Sequence, residues 1–183
     1  MATMILMLAA MAAAQPLAVP DCPIDRAVYR LHGNPEFTAG FALQDRRNGL
    51  HSNLAFWLRT PEHTYWFSME SPNGYGGIYI RPNIDPRRSV RLDDDAERDE
   101  HERIEALEPQ RIPLDAFRAD VSAFDTPPQS EDAPPALLFA RSLGPELWYD
   151  WTRLGAGDPG AVQESMPIGL FEPAGCDGPP PEP

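Results

Sequence analysis

The chain has 183 residues with 28 acidic and 15 basic side chains, a formal net charge of −13, and every basic residue is Arg. That acidity excludes a general nucleic-acid binder, because neutralising phosphates needs a net basic face. A hydrophobic content of 42% excludes a disordered chain, and 22 Pro, more than twice the usual ~5%, exclude long uninterrupted helices.

The apolar run from Met4 to Ala14 carries no charge. It is too short for a bilayer, which needs about 20 residues, and fits the core of an export signal. Residues 1–18 are therefore expected to be a signal peptide cut after Ala14 or Ala18, and the mature protein to be periplasmic or secreted with no transmembrane segment. Val19-Pro20-Asp21 before Cys22 lacks the small residue that precedes a lipidated Cys. Cys22 and Cys176 then stand near the two ends of an exported chain, where two Cys most simply form one disulfide. It closes a single β-rich domain over 19–176.

The clearest pattern runs over about 37–81. In 50–59 Leu50, Leu54, Phe56 and Leu58 alternate with His51, Asn53, Trp57 and Arg59, the period of a half-buried strand. Thr60-Pro61-Glu62-His63 reads as a turn, and in 64–70 Tyr65, Phe67 and Met69 continue the apolar face. A four-residue loop pairs Arg59 with Thr64 and Phe56 with Phe67. Short turns upstream and downstream pair Leu43 with Leu50, Phe37 with Phe56, Phe67 with Ile78 and Tyr65 with Ile80. This predicts an antiparallel meander in a mainly β sandwich or barrel-like domain with one or two short helices.

Residues 93–107 predict a solvated acidic helix stopped by Pro109. Leu114, Phe117, Val121 and Phe124 stand at helical spacing, 126–135 reads as a linker-like loop, and 136–141 and 146–151 as later strands. The tail, 177–183, is expected to be extended and disordered. Charge is bipolar: 26–91 holds nine Arg and five acids, 93–105 eight acids and two Arg, and 106–183 holds 13 acids and four Arg. Packing of the acidic segments near the Arg-rich sheet accounts for this.

In that register the second face of the meander carries Trp57, Trp66 and Tyr79 as an aromatic row. Arg59 and Arg81 stand beside it, with His51 further along. Flat rings stack on sugars or planar groups while guanidiniums orient anions, so these six residues are the candidate ligand contacts. The alternative is that another layer covers the row as core. No metal site is expected: Asp93-Asp94-Asp95 lacks the spacing of a calcium loop, and His101 with Glu105 supplies too few zinc ligands. No cofactor is implied, since neither a phosphate loop nor a nucleophile elbow occurs. The expected function is a non-enzymatic binding or interaction module, its ligand a glycan or small anion. The alternatives are a hydrolase of an envelope or extracellular polymer, using Glu70, Glu62 or Asp150, and an accessory subunit that docks on an envelope protein.

Overall fold

The computed structural model describes residues 17–45, 51–71, 76–108 and 110–180. The expected export signal lies almost wholly outside these residues. Eight strands follow in chain order: β1 (Val28–Leu31), β2 (Asn34–Leu43), β3 (Leu54–Arg59), β4 (Thr64–Glu70), β5 (Ile78–Asn83), β6 (Ile112–Phe117), β7 (Leu137–Phe139) and β8 (Leu170–Gly175). Each is antiparallel to the next, and β8 returns to β1, so the sheet closes into an up-and-down barrel with no free edge. Four helices decorate it: α1 (Pro86–Ser89), α2 (Asp94–Ala106), α3 (Leu143–Tyr149) and α4 (Trp151–Leu154).

The apolar face of the meander is the barrel interior. Leu31, Leu54, Leu58, Met69, Ile80, Leu114 and Leu138 all point into one core. Tyr29, Phe41, Phe56 and Phe67, on four successive strands, form a ladder of rings with centroids 6.2, 5.8 and 5.8 Å apart. Tilted and edge-on aromatic contacts of this kind add to the burial energy of each ring. The Tyr29 hydroxyl leaves the core by donating to the Pro135 carbonyl at 2.8 Å. Cys22 and Cys176 are disulfide-bonded with Cα atoms 6.2 Å apart, which ties the segment before β1 to the end of β8.

The β3–β4 pairing is the expected one, with Arg59 opposite Thr64 and Phe56 opposite Phe67. The flanking hairpins are displaced. Leu43 pairs with Leu54 rather than Leu50, and Phe56 with Phe41 rather than Phe37. Downstream, Phe67 pairs with Pro82 rather than Ile78, and Ile80 with Met69 rather than Tyr65. The first connection is longer than a six-residue loop, because Gln44 N–H donates to Asn53 O at 2.9 Å and closes the hairpin there. Each slip is an even number of residues, so every side chain keeps its face and only its neighbours change.

Three further expectations are corrected. Residues 112–117 form a strand with Ile112, Leu114 and Ala116 inward, not the start of a helix, and Val121 is exposed. Residues 143–149 form α3, which buries Leu143 and Leu147 one turn apart, not a strand. Of the tail expected to be disordered, 178–180 pack on the body, Gly178 N–H donating to Arg26 O at 2.9 Å and Pro180 being buried, while 181–183 lie outside the described residues. The expected acidic helix is α2, capped by the Asp93 side chain on Ala96 N–H at 2.9 Å. It docks through the buried Ile104 and through charge, Glu105 accepting from Arg81 of β5 at 2.5 Å. The loop 126–135 is packed, with Ser52 donating to Pro128 O at 2.5 Å and Asn53 to the Ser130 hydroxyl at 2.7 Å.

Candidate functional site

The six candidate contacts do not form one surface. Trp57 lies on the outer face of β3 but is only 2% exposed. Its indole spreads over Gly40 of the adjacent strand, where a Cβ would sit 2.7 Å from the ring, and its N–H donates to Phe41 O at 3.2 Å. Trp66, opposite Trp57, is 7% exposed. Tyr79 pairs with Glu70 and Trp66 with Asn83, so the three-aromatic row is absent. This part of the face is a second small core of Ala42, Ala55, Trp57 and Trp66, with Val28 packed against it.

Arg81 is also committed. It reaches Glu105 at 2.5 Å and Glu70 at 3.8 Å, and Glu70 takes Arg111 at 3.0 Å from its other side. That network ties α2 to β5 and the residue before β6 to β4, and it occupies Glu70. His51 is exposed, and its carbonyl accepts from Gln129, which seats the 126–135 loop. Asp150 lies 3.8 Å from Arg153 within one helical turn.

Arg59, Glu62 and Trp66 meet instead in a cleft of 790 Å³ beside the barrel. One wall is the β3–β4 turn, where the Thr60 hydroxyl accepts from His63 N–H at 3.0 Å and donates to Glu164. The second wall is α1. Asp85 caps it, accepting from Arg87 N–H at 2.9 Å, and Pro86 takes the first helical position, where no N–H is needed. The same carboxylate grips the Arg87 guanidinium through Nε at 2.9 Å and Nη2 at 2.6 Å. Held there, Arg87 lies 5.1 Å over the Trp66 ring, a cation–π contact, and its Nη1 donates to Pro180 O at 2.7 Å.

The third wall joins α2 to the loop after α4. Ile84, Ile104 and Ala156 pack into a small cluster that locks β5, α2 and this loop together. Ala156 and Gly157 both have left-handed backbone, φ 52° and 71°. Gly157 relieves the backbone there, since a side chain at a φ of 71° is strained whatever the space around it. Arg103 donates to Glu100 at 2.9 and 2.7 Å, which holds the Glu100 carboxyl below its ordinary pKa, with further lowering by the charge of nearby Arg88.

Charge in the cleft runs opposite to that of the chain. Five arginines, 59, 87, 88, 91 and 103, face four acids, Glu62, Asp85, Glu100 and Asp158, in a protein of net −13. Asp85 and Glu100 are spent on Arg87 and Arg103. Among the described residues, neither the Arg59 nor the Arg88 guanidinium has a hydrogen-bond or ion-pair partner. His63 is half-buried with its ring 4.7 Å from that of Tyr65. Burial lowers its pKa, although the charges of Asp158 and Glu164 pull the other way. Burial, with the Glu164 charge nearby, pushes the Tyr65 phenol up to about 12, and it donates to Val162 O at 2.9 Å.

Arg87, Arg88, Arg103, His63, Asp158 and Pro180 were not among the sequence candidates. Asp85-Pro86-Arg87-Arg88 carries a readable signal, a capping Asp and an N1 Pro presenting two Arg. Residues 100–103 and 157–180 reach the cleft only through long-range packing. Among the described residues no group of three or more His, Cys, Asp or Glu could hold a metal ion, and no helix is long and apolar enough to cross a membrane. No protein-family model, curated protein or solved structure matches the chain. The molecule is therefore defined by its own architecture: a disulfide-closed eight-stranded barrel with an arginine-rich cleft on its flank.

Proposed function

We propose that the protein is an exported, non-enzymatic binding module that takes a small anionic ligand in this flank cleft. The ligand carries a carboxylate or phosphate, free or borne on a glycan. The reading rests on one observation: among the described residues, the Arg59 and Arg88 guanidiniums make no hydrogen bond or close ion pair, in an Arg-majority cleft of a strongly acidic protein. Guanidinium forks match carboxylate and phosphate bidentately, and such charge-assisted bonds are about twice as strong as neutral ones. Export is supported by the disulfide and by the apolar N-terminal run. The hydrolase alternative gains nothing from Glu70, which Arg81 and Arg111 hold. Titration calorimetry with inorganic phosphate, citrate and oligogalacturonate should give binding that Arg59→Ala or Arg88→Ala weakens about tenfold with Tm unchanged. Absence of heat with every anion, or equal binding of neutral maltose, refutes it.

The accessory-subunit reading keeps one supporting observation. Trp148 and Tyr149 are 46% and 79% exposed at the end of α3, beside the segment that Gln163 ties to Trp148 O at 2.8 Å.

A further inference from the structure

Among the described residues His63 is the only histidine that lines the cleft, and it shares the β3–β4 hairpin with Arg59. Its ring is half-buried, and neither ring nitrogen has a hydrogen-bond partner among the described residues. The Asp158 and Glu164 carboxylates lie close enough to act on its charge. Gly160 leaves the space beside the ring open: a Cβ there would lie 3.3 Å from Asp158 Oδ1 and 3.7 Å from His63 Nδ1.

We propose that His63 is a proton-linked cation of this cleft: an anion seated against Arg59 and Arg88 draws a proton from solvent onto the imidazole, so the site tightens as pH falls below neutral. The inference rests on the cleft being an anion site, and it adds how that site is regulated. With His63 neutral the lining carries five Arg against four acids, a surplus of one positive charge, and the proton raises that surplus to two. Around the ring stand Arg59 and Glu62 on its own hairpin, Tyr65 on β4, Asp158 after α4, and Glu164. Across the cleft stand Asp85, Arg87, Arg88 and Arg91 at α1, with Glu100 and Arg103 on α2. Guanidiniums stay charged, and the Tyr65 phenol is pushed up to about 12. Histidine alone has an ordinary pKa that puts its charge change between about pH 5 and 8. Burial draws the His63 value below the ordinary 6.5, which leaves room for a bound anion to raise it. By linkage, an anion that raises this pKa binds the protonated site more tightly by the same factor. A unit charge about 8 Å from an anion in a partly wet site changes affinity about fivefold.

The test uses inorganic sulfate and oligogalacturonate, which stay fully ionised between about pH 5.5 and about pH 7.5 and so take up no proton themselves. Calorimetry at about pH 6, in two buffers of unlike ionisation enthalpy, reads the protons taken up per anion bound. The full chain should take up a fraction of one proton and bind about fivefold more tightly at about pH 5.5 than at about pH 7.5. His63→Gln should take up none and bind equally at both. A second readout needs no variant: the four histidine ring signals are titrated by nuclear magnetic resonance with and without sulfate, and one should titrate at higher pH when sulfate is present. Binding without proton uptake, at equal affinity at both pH values, overturns the inference and leaves the anion cleft standing. Uptake that persists in His63→Gln assigns the proton to another group and also overturns it. No heat with either anion at any pH overturns the anion-ligand reading, and the inference falls with it.

Discussion

Replacing Trp57 by Ala separates a binding platform from a packed wall. At 2% exposure the indole contacts Gly40 and the outer-face cluster, and its N–H supplies a hydrogen bond to Phe41 O. Truncating a buried Trp to Ala costs about 3–5 kcal/mol, of which the lost indole hydrogen bond is about 1 kcal/mol. Against a typical domain stability of about 5–15 kcal/mol the loss is large. For a domain of this size each kcal/mol moves Tm by about 2–4 °C, so Trp57→Ala should lower Tm by roughly 10 °C. Trp57→Phe keeps much of the apolar area and should lose about 1–2 kcal/mol. Thermal unfolding followed by far-ultraviolet circular dichroism of the oxidised protein measures both. A fall below about 3 °C for Trp57→Ala would mean that the ring face is open to solvent, and the sheet-face platform would return.

Reduction of Cys22–Cys176 opens a loop with a sequence separation of 154 and should remove about 5 kcal/mol on the chain-entropy model; an unchanged urea midpoint with dithiothreitol would contradict this. Gly40→Ala places a Cβ 2.6 Å from Ala27 O and 2.7 Å from the Trp57 ring, and should cost about 1–3 kcal/mol in urea unfolding, where a neutral result would disprove the close approach. Tyr65 ionises at about 12 in the folded protein against an ordinary 10.0. The unfolded chain therefore loses this proton first, so the Tyr65 contribution to stability is intact below pH 10 and is lost as pH rises toward 12. Tyr65→Phe should flatten that part of the stability–pH curve, and an identical curve would show that the phenol is not buried as described.

How far the sequence could be read follows from which physical signals are local. Alternation along β3 and β4 is local, and it identified the inward faces of Phe56, Phe67 and Tyr65 correctly. Register is set by where the turns close, and a slip of four residues leaves alternation unchanged, so by pattern alone Leu50 and Leu54 are equally good partners for Leu43. The choice is made by the 126–135 loop, which takes Ser52 and Asn53 as docking points from more than 70 residues away. Residues 112–124 fit both periods, because Leu114 serves either a helix stripe or a strand face. Closure of the barrel between β5 and β7 selects the strand.

The same distinction explains the site. Aromatic and arginine side chains on one sheet face are visible in the sequence, but whether that face is wet depends on distant residues. Arg87, held by Asp85 and Pro180, lies over the Trp66 ring, which keeps 7% exposure in the cleft lining. The aromatic–arginine pairing anticipated on the sheet is thus used internally, as a wall. What remains for recognition is the charge left after internal pairing, and that remainder is set at one point. Arg87 takes Asp85 and Arg103 takes Glu100, while among the described residues the Arg59 and Arg88 guanidiniums, on different walls of one cleft, make no hydrogen bond or close ion pair. An anion bridging them would join the β3–β4 turn to α1. Ligand binding should therefore stiffen these two elements together and leave the barrel interior unchanged.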